Sequence, residues 1–177
     1  MAFCLVCERK DRLTTRADYT DKEWTYITAA PMMAGMYISA VAGSGPTDTM
    51  QKAAALEHAV GELVHRGSAN ELIGTLIYEI NRTDAEVLQM RAATGMHVTT
   101  LDALHAAALD ALQKAALVLT KAKREEAAEY KALVMSLSQR VAQAGNDGGL
   151  PGSGGTPMSE GKIRAIQEIG VALKTTA

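Results

Sequence analysis

The sequence predicts an all-α fold: a single-domain helical bundle of six to eight helices around a buried central helix. Three observations point there. Thirty-one alanines against seven aromatic residues favour helices packed closely through small side chains. Helix-start patterns recur along the chain, each followed by apolar residues at helical spacing. The stretch Trp24 to Thr47, WTYITAAPMMAGMYISAVAGSGPT, runs twenty-four residues without a formal charge. A helix built from it has no face polar enough for water and must be covered.

A chain of 177 residues makes one domain. At that size about 70% of the unfolded surface is buried, so no disulfide or metal staple is needed. Net charge is −2 with no basic block. The nearest thing to a patch, Lys121, Lys123 and Arg124, is followed at once by Glu125 and Glu126. No nucleic-acid partner is therefore expected, because phosphate neutralisation needs a basic stripe. Met1 to Val6 is too short for the apolar region of a cleavable signal, and charges begin at Glu8. A cytoplasmic location is the expectation.

Residues 1–19 read as a flexible N-terminal tail, followed by an all-α domain over 20–177. Cys4 and Cys7 sit two residues apart before the charged run Glu8 to Arg12. Such a pair is half a zinc site or a redox motif. No second cysteine pair follows, the nearest histidine is His58, and no βαβ pattern surrounds it. The cysteines read as incidental. Thr20-Asp21-Lys22-Glu23 is a capping box that opens the apolar helix. Pro31 is expected to kink that helix or to begin a second segment, since it lacks an N–H and crowds the carbonyl four residues back. Ala30 and Ala34, then Gly35, Ser39 and Gly43, are spaced for close backbone approach. Gly43-Ser44-Gly45-Pro46 ends the helix. A membrane span is disfavoured: Leu and Phe are absent, two prolines and three glycines interrupt, and Asp48 follows directly.

Further helices follow in order. One runs from Asp48, with Gln51 as box partner, to about Arg66. Ser68-Ala69-Asn70-Glu71 opens the next, whose Leu72, Ile73, Leu76, Ile77 and Ile80 make one apolar face. Thr83 opens a shorter one that ends near Gly95. Thr100 precedes a long helix with Leu101, Leu104, Ala108, Leu112 and Leu119 along one side. After a break at 120–123 comes another, carrying Tyr130, Val134, Leu137 and Val141. A Gly-rich loop over 145–158, with six glycines and two prolines, cannot be helical. Ser159 caps a last helix with Ile163, Ile166, Ile169 and Leu173. Short turns between these elements favour antiparallel neighbours.

Motifs for chemistry are sparse. Gly-Ser-Gly-x-Thr occurs at 43–47 and 152–156, but neither copy matches a phosphate-binding loop or follows a strand. Glu62 with His65, and Asp102 with His105, each place an acid and an imidazole three residues apart on a helix. Two Glu-x-x-His helices plus two further glutamates build the di-iron site of ferritin-like bundles. The candidate metal ligands are thus Asp102, His105, Glu62 and His65. Against them, His58, Glu62 and His65 lie opposite the apolar face of Leu56, Val60, Leu63 and Val64, and the apolar helix supplies no carboxylate. No serine sits in a strand-to-helix elbow. The nine methionines, among them Met32, Met33 and Met36, read as gap fillers in an alanine-rich core. No catalytic residue and no cofactor is expected.

The order Asp18-Tyr19-Thr20-x-x-Glu23-Trp24, then AAPMMAGMYISAVAGSGP, NELI at 70–73, EYKALVMSLSQRVAQA at 129–144 and a glycine-rich loop before Ser159-Glu160 resembles a group of bacterial all-helical proteins without an assigned activity. The likeness covers nearly everything after residue 17. Where that group carries an aromatic-containing loop, this chain has GGLPGSGG. More distantly, the chain is similar to tellurite-resistance TerB-like helical domains, in which an apolar helix passes through an Ala-Asp-Gly turn. Here Ala42-Gly43-Ser44-Gly45 stands at the turn without the acid. These resemblances imply an all-α fold and a stress-associated setting, and no catalytic residue to carry over. The expected function is a soluble, non-catalytic module acting through a protein partner or self-association. The alternative is a metal-binding bundle using the carboxylate and histidine ligands above.

Overall fold

The computed structural model describes residues 13–41, 62, 70–82, 100–144 and 158–174. Among them are five α-helices and no strand: α1 (Asp21–Val41), α2 (Glu71–Arg82), α3 (Leu101–Val118), α4 (Arg124–Ala144) and α5 (Glu160–Ala172). Short 3-10 turns occupy Arg16–Asp18 and Leu119–Lys121. The helices expected over 48–66 (Glu62 apart, which is helical) and 83–95, Cys4, Cys7 and residues 145–157 of the Gly-rich loop lie outside the described residues. No helix among the described residues is long and apolar enough to cross a membrane.

Helix α1 begins where its capping box places it. The Thr20 amide donates to Glu23 Oε2 at 3.0 Å, and the Glu23 amide donates to Thr20 Oγ1 at 3.3 Å. Lys121 Nζ lies 2.6 Å from Glu23 Oε1 and ties the helix start to the α3–α4 turn. The lysine first, and then the Thr20 amide, hold the Glu23 carboxyl down to about 2. A carboxyl depressed in the folded chain stabilises it above the ordinary carboxylate range, and that contribution is lost as pH falls toward 2. Glu23→Gln is therefore expected to flatten the stability profile between about pH 4.5 and about pH 2. The effect should be largest at low salt, because the pair is solvent-facing. Acid titrations followed by circular dichroism at low ionic strength check this; parallel curves for wild type and variant through that window would refute it.

The helix then runs unbroken through Pro31, so no second segment begins there. Trp24, Ile27, Ala30, Met33, Ala34, Tyr37 and Ile38 are all buried. Around them α1 packs against α2, α3, α4 and α5. The apolar face of α3 is supplied by Leu104, Ala108, Leu112 and Ala115, while Leu101 stays half exposed at the helix start. Close approach is built in at the far end of α1: a Cβ on Gly161 would stand 3.1 Å from Val41 Cγ1.

The remaining helix starts follow ordinary capping chemistry. Thr100 Oγ1 accepts from the Ala103 amide at 3.2 Å, and the Ser159 side chain from the Lys162 amide at 3.5 Å. On α2 the observed cap is Asn70, whose Oδ1 accepts from the Ile73 amide at 3.4 Å. On α5 the buried face is Lys162, Ala165, Ile169, Ala172 and Leu173. Ile163, expected inside, is 44% exposed, and Lys162 takes the interior position at 1%. Beyond the Leu173 cap of α5, Lys174 holds φ 52°, the left-handed conformation that closes many helices.

The packed domain begins earlier than residue 20. Thr14 and Tyr19, placed in a flexible tail by composition, are both buried. Their burial has a local cause: Thr15 and Asp18 close a small capping box, with the Thr15 amide 2.8 Å from Asp18 Oδ2, and this turn delivers Tyr19 beside Trp24.

Candidate functional site

Among the described residues, two groups of polar side chains lie inside or at the margin of the packed helices. The first joins α1, α3 and α5. Tyr37 follows Met33 and Ala34 by one turn on the buried side of α1. His105 borders Leu104 at the edge of the α3 face, and Glu168 borders the buried Ile169 on α5. Tyr37 Oη donates to Glu168 Oε2 at 2.6 Å. The imidazole stacks on the Tyr37 ring with centroids 5.0 Å apart and planes inclined by 28°. His105 Nε2 stands 3.2 Å from the same carboxylate oxygen, within ion-pair distance. That nitrogen is buried and makes no aligned hydrogen bond among the described residues. Burial, and then the Glu168 carboxylate, push the Tyr37 phenol well above its ordinary range, with Arg164 opposing slightly. Tyr37 is therefore a hydrogen-bond donor at neutral pH and not a base.

The second group surrounds Glu126 at the start of α4, where the carboxylate is only 4% exposed. Its Oε1 accepts from the Thr14 amide at 2.9 Å, and its Oε2 accepts from Thr14 Oγ1 and from the Lys123 amide, the latter at 3.2 Å. Asn70 Nδ2 donates to the Glu126 carbonyl at 3.2 Å and to Glu129 Oε2 at 2.9 Å. One buried carboxylate thus joins the 13–19 segment to α4, while Asn70 joins α2 to it. Burial first, and then Glu126, raise the Tyr19 phenol far above its ordinary range, which keeps it protonated.

The residues singled out by spacing are dispersed or paired elsewhere. Glu62 Oε2 accepts from Arg140 Nη1 of α4 at 2.6 Å. Asp102 is exposed in the first turn of α3. His105 meets Glu168, and His65 lies outside the described residues. Among the described residues no three His, Cys, Asp or Glu side chains gather in a group able to hold a metal ion. Spacing missed Tyr37 and Glu168 for a simple reason. They are 131 residues apart, and only the packing of α5 on α1 brings them together. Comparison with protein-family models, curated proteins and solved structures finds no match to this chain.

Proposed function

We propose that the chain is a non-catalytic helical interaction module, six to eight helices gathered around α1, that acts on a protein partner or on a second copy of itself. The observation that carries this reading is the outward side of α5. Ile163 and Val171 stand there two turns apart, 44% and 77% exposed, with exposed Gln167 between them. These two aliphatic side chains, flanked by Glu160, Arg164 and Lys174, offer apolar points of contact within a polar surround. The buried and half-buried acids point the same way, since Glu62, Glu126 and Glu168 each join one element to another. A stress-associated setting rests on the sequence resemblances.

A second reading, metal binding, draws on one distance. Donor atoms each about 2.0–2.1 Å from a tetrahedral ion stand about 3.3 Å apart. His105 Nε2 and Glu168 Oε2 are 3.2 Å apart. Glu168 then replaces Asp102 as the carboxylate partner of His105. Metal analysis of the purified full chain and of His105→Ala separates the two readings. Stoichiometric metal in wild type that is lost in the variant supports the second reading and overturns the first. No metal in either, together with association that Ile163→Glu/Val171→Glu abolishes in sedimentation equilibrium, supports the first and ends the second. A turnover activity in the purified chain would overturn the first.

A further inference from the structure

Helix α1 has a gap in its own hydrogen-bond ladder. Pro31 has no N–H, so the carbonyl of Ile27, four residues earlier, loses its intrahelical donor. Ile27 is fully buried, so water cannot take the donor's place. Another helix fills the gap. Tyr130 Oη of α4, itself fully buried, donates to the Ile27 carbonyl at 2.6 Å. Burial holds this phenol far above its ordinary range, so it remains a donor throughout the working pH range.

The side chains that anchor α1 differ on the two sides of the gap, while α3 reaches both, with Lys114 Nζ 5.3 Å from the Tyr26 ring centroid and His105 against Tyr37. Before it, Trp24 Nε1 donates to Glu79 of α2, Glu23 pairs with Lys121, and Arg16 Cζ lies 5.3 Å from the Trp24 ring centroid. After it, Tyr37 is held by Glu168 and stacked on His105, and Val41 meets Gly161. In the interior of an α-helix a backbone amide four residues on ordinarily restrains each carbonyl against bending. At Ile27 one phenol from outside the helix does so, while the proline ring crowds the same carbonyl outward.

We propose that α1 is jointed at Ile27–Pro31 and that the Tyr130 hydroxyl is the latch that keeps the joint closed. Withdrawal of the hydroxyl lets residues 21–30 and 31–41 reorient, each half keeping its own partners. The latch thereby couples the position of α2 and the 13–19 segment to that of α5.

Hydrogen exchange on the full chain tests this, comparing wild type, Tyr130→Phe, Pro31→Ala and the double variant. Tyr130→Phe is expected to speed exchange in peptides covering 26–36 by roughly tenfold, the effect of losing one buried hydrogen bond. Peptides covering 160–172 should change by less than about twofold if the opening is local. Pro31→Ala restores the missing donor, so it should slow exchange over 26–36 by itself and return the double variant to wild-type protection. A uniform rise across all helices in Tyr130→Phe would overturn the proposal. So would a double variant that exchanges as fast as Tyr130→Phe, or a Pro31→Ala variant whose 26–36 peptides are unchanged.

Discussion

Trp24→Ala is expected to remove about 3–5 kcal/mol of folding free energy, the range for deleting a large buried aromatic. The indole is 5% exposed, and three separate contacts depend on it. Tyr19 packs at a ring separation of 6.0 Å and a tilt of 41°, the guanidinium of Arg16 lies against the ring, and Nε1 donates to Glu79. The substitution therefore opens a cavity and also detaches the 13–19 segment and one anchor of α2. Trp24→Phe keeps most of the ring and loses the Glu79 bond, so a smaller loss of about 1–2 kcal/mol is expected. For a domain whose total stability is about 5–15 kcal/mol, the alanine variant gives up a large share. Trp24 is the single tryptophan of the chain, so urea unfolding followed by far-ultraviolet circular dichroism is the suitable measurement. A loss under about 1 kcal/mol for the alanine variant would contradict the packing described.

Glu126→Ala is expected to cost about 3 kcal/mol, through a different mechanism. The Thr14 amide loses its acceptor, and the Lys123 amide keeps only the longer contact to Thr14 Oγ1, at 3.4 Å. Thr14 is buried and Lys123 half-buried, and an unsatisfied buried donor carries nearly its whole desolvation cost. Glu126→Gln should fall between, because its amide oxygen still accepts one amide while its NH₂ faces the other donor. The Thr14 hydroxyl belongs to the same unit. Thr14→Ala should consequently cost less in the Glu126→Ala background than on its own, since there it removes only the contact to the Lys123 amide. Full additivity of the two changes in equilibrium unfolding would show that the carboxylate and the threonine do not act together.

Much of the helical order was legible from local chemistry, and the exceptions share one cause. Thr20, Thr100 and Ser159 cap helices as their spacing predicts, because a cap is a contact within three residues. The apolar faces of α2 and α4 follow for a similar reason: Leu72, Ile73, Leu76 and Ile77, and Tyr130, Val134, Leu137 and Val141, obey the helical period. Helix α5 departs, since periodicity alone does not decide between Lys162 and Ile163 for the interior position. The α2 cap departs because Asn70 is also held by Glu126 and Glu129, residues more than fifty positions away. Pro31 is the clearest instance: read locally it interrupts a helix, and the group that allows the helix to continue is 103 residues from Ile27. Of the junction of Tyr37, His105 and Glu168 only the histidine was singled out by spacing, and with Asp102 in the place that Glu168 takes.

Contact between Val41 and Gly161 has a consequence for synthesis. Some 120 residues separate the end of α1 from the start of α5. At about 5–20 residues per second, the first helix leaves the ribosome roughly 6–24 s before the last one exists. For that interval the side of α1 that α5 covers has nothing to lie against, and the nascent chain depends on chaperone binding or on provisional contacts with α2, α3 and α4.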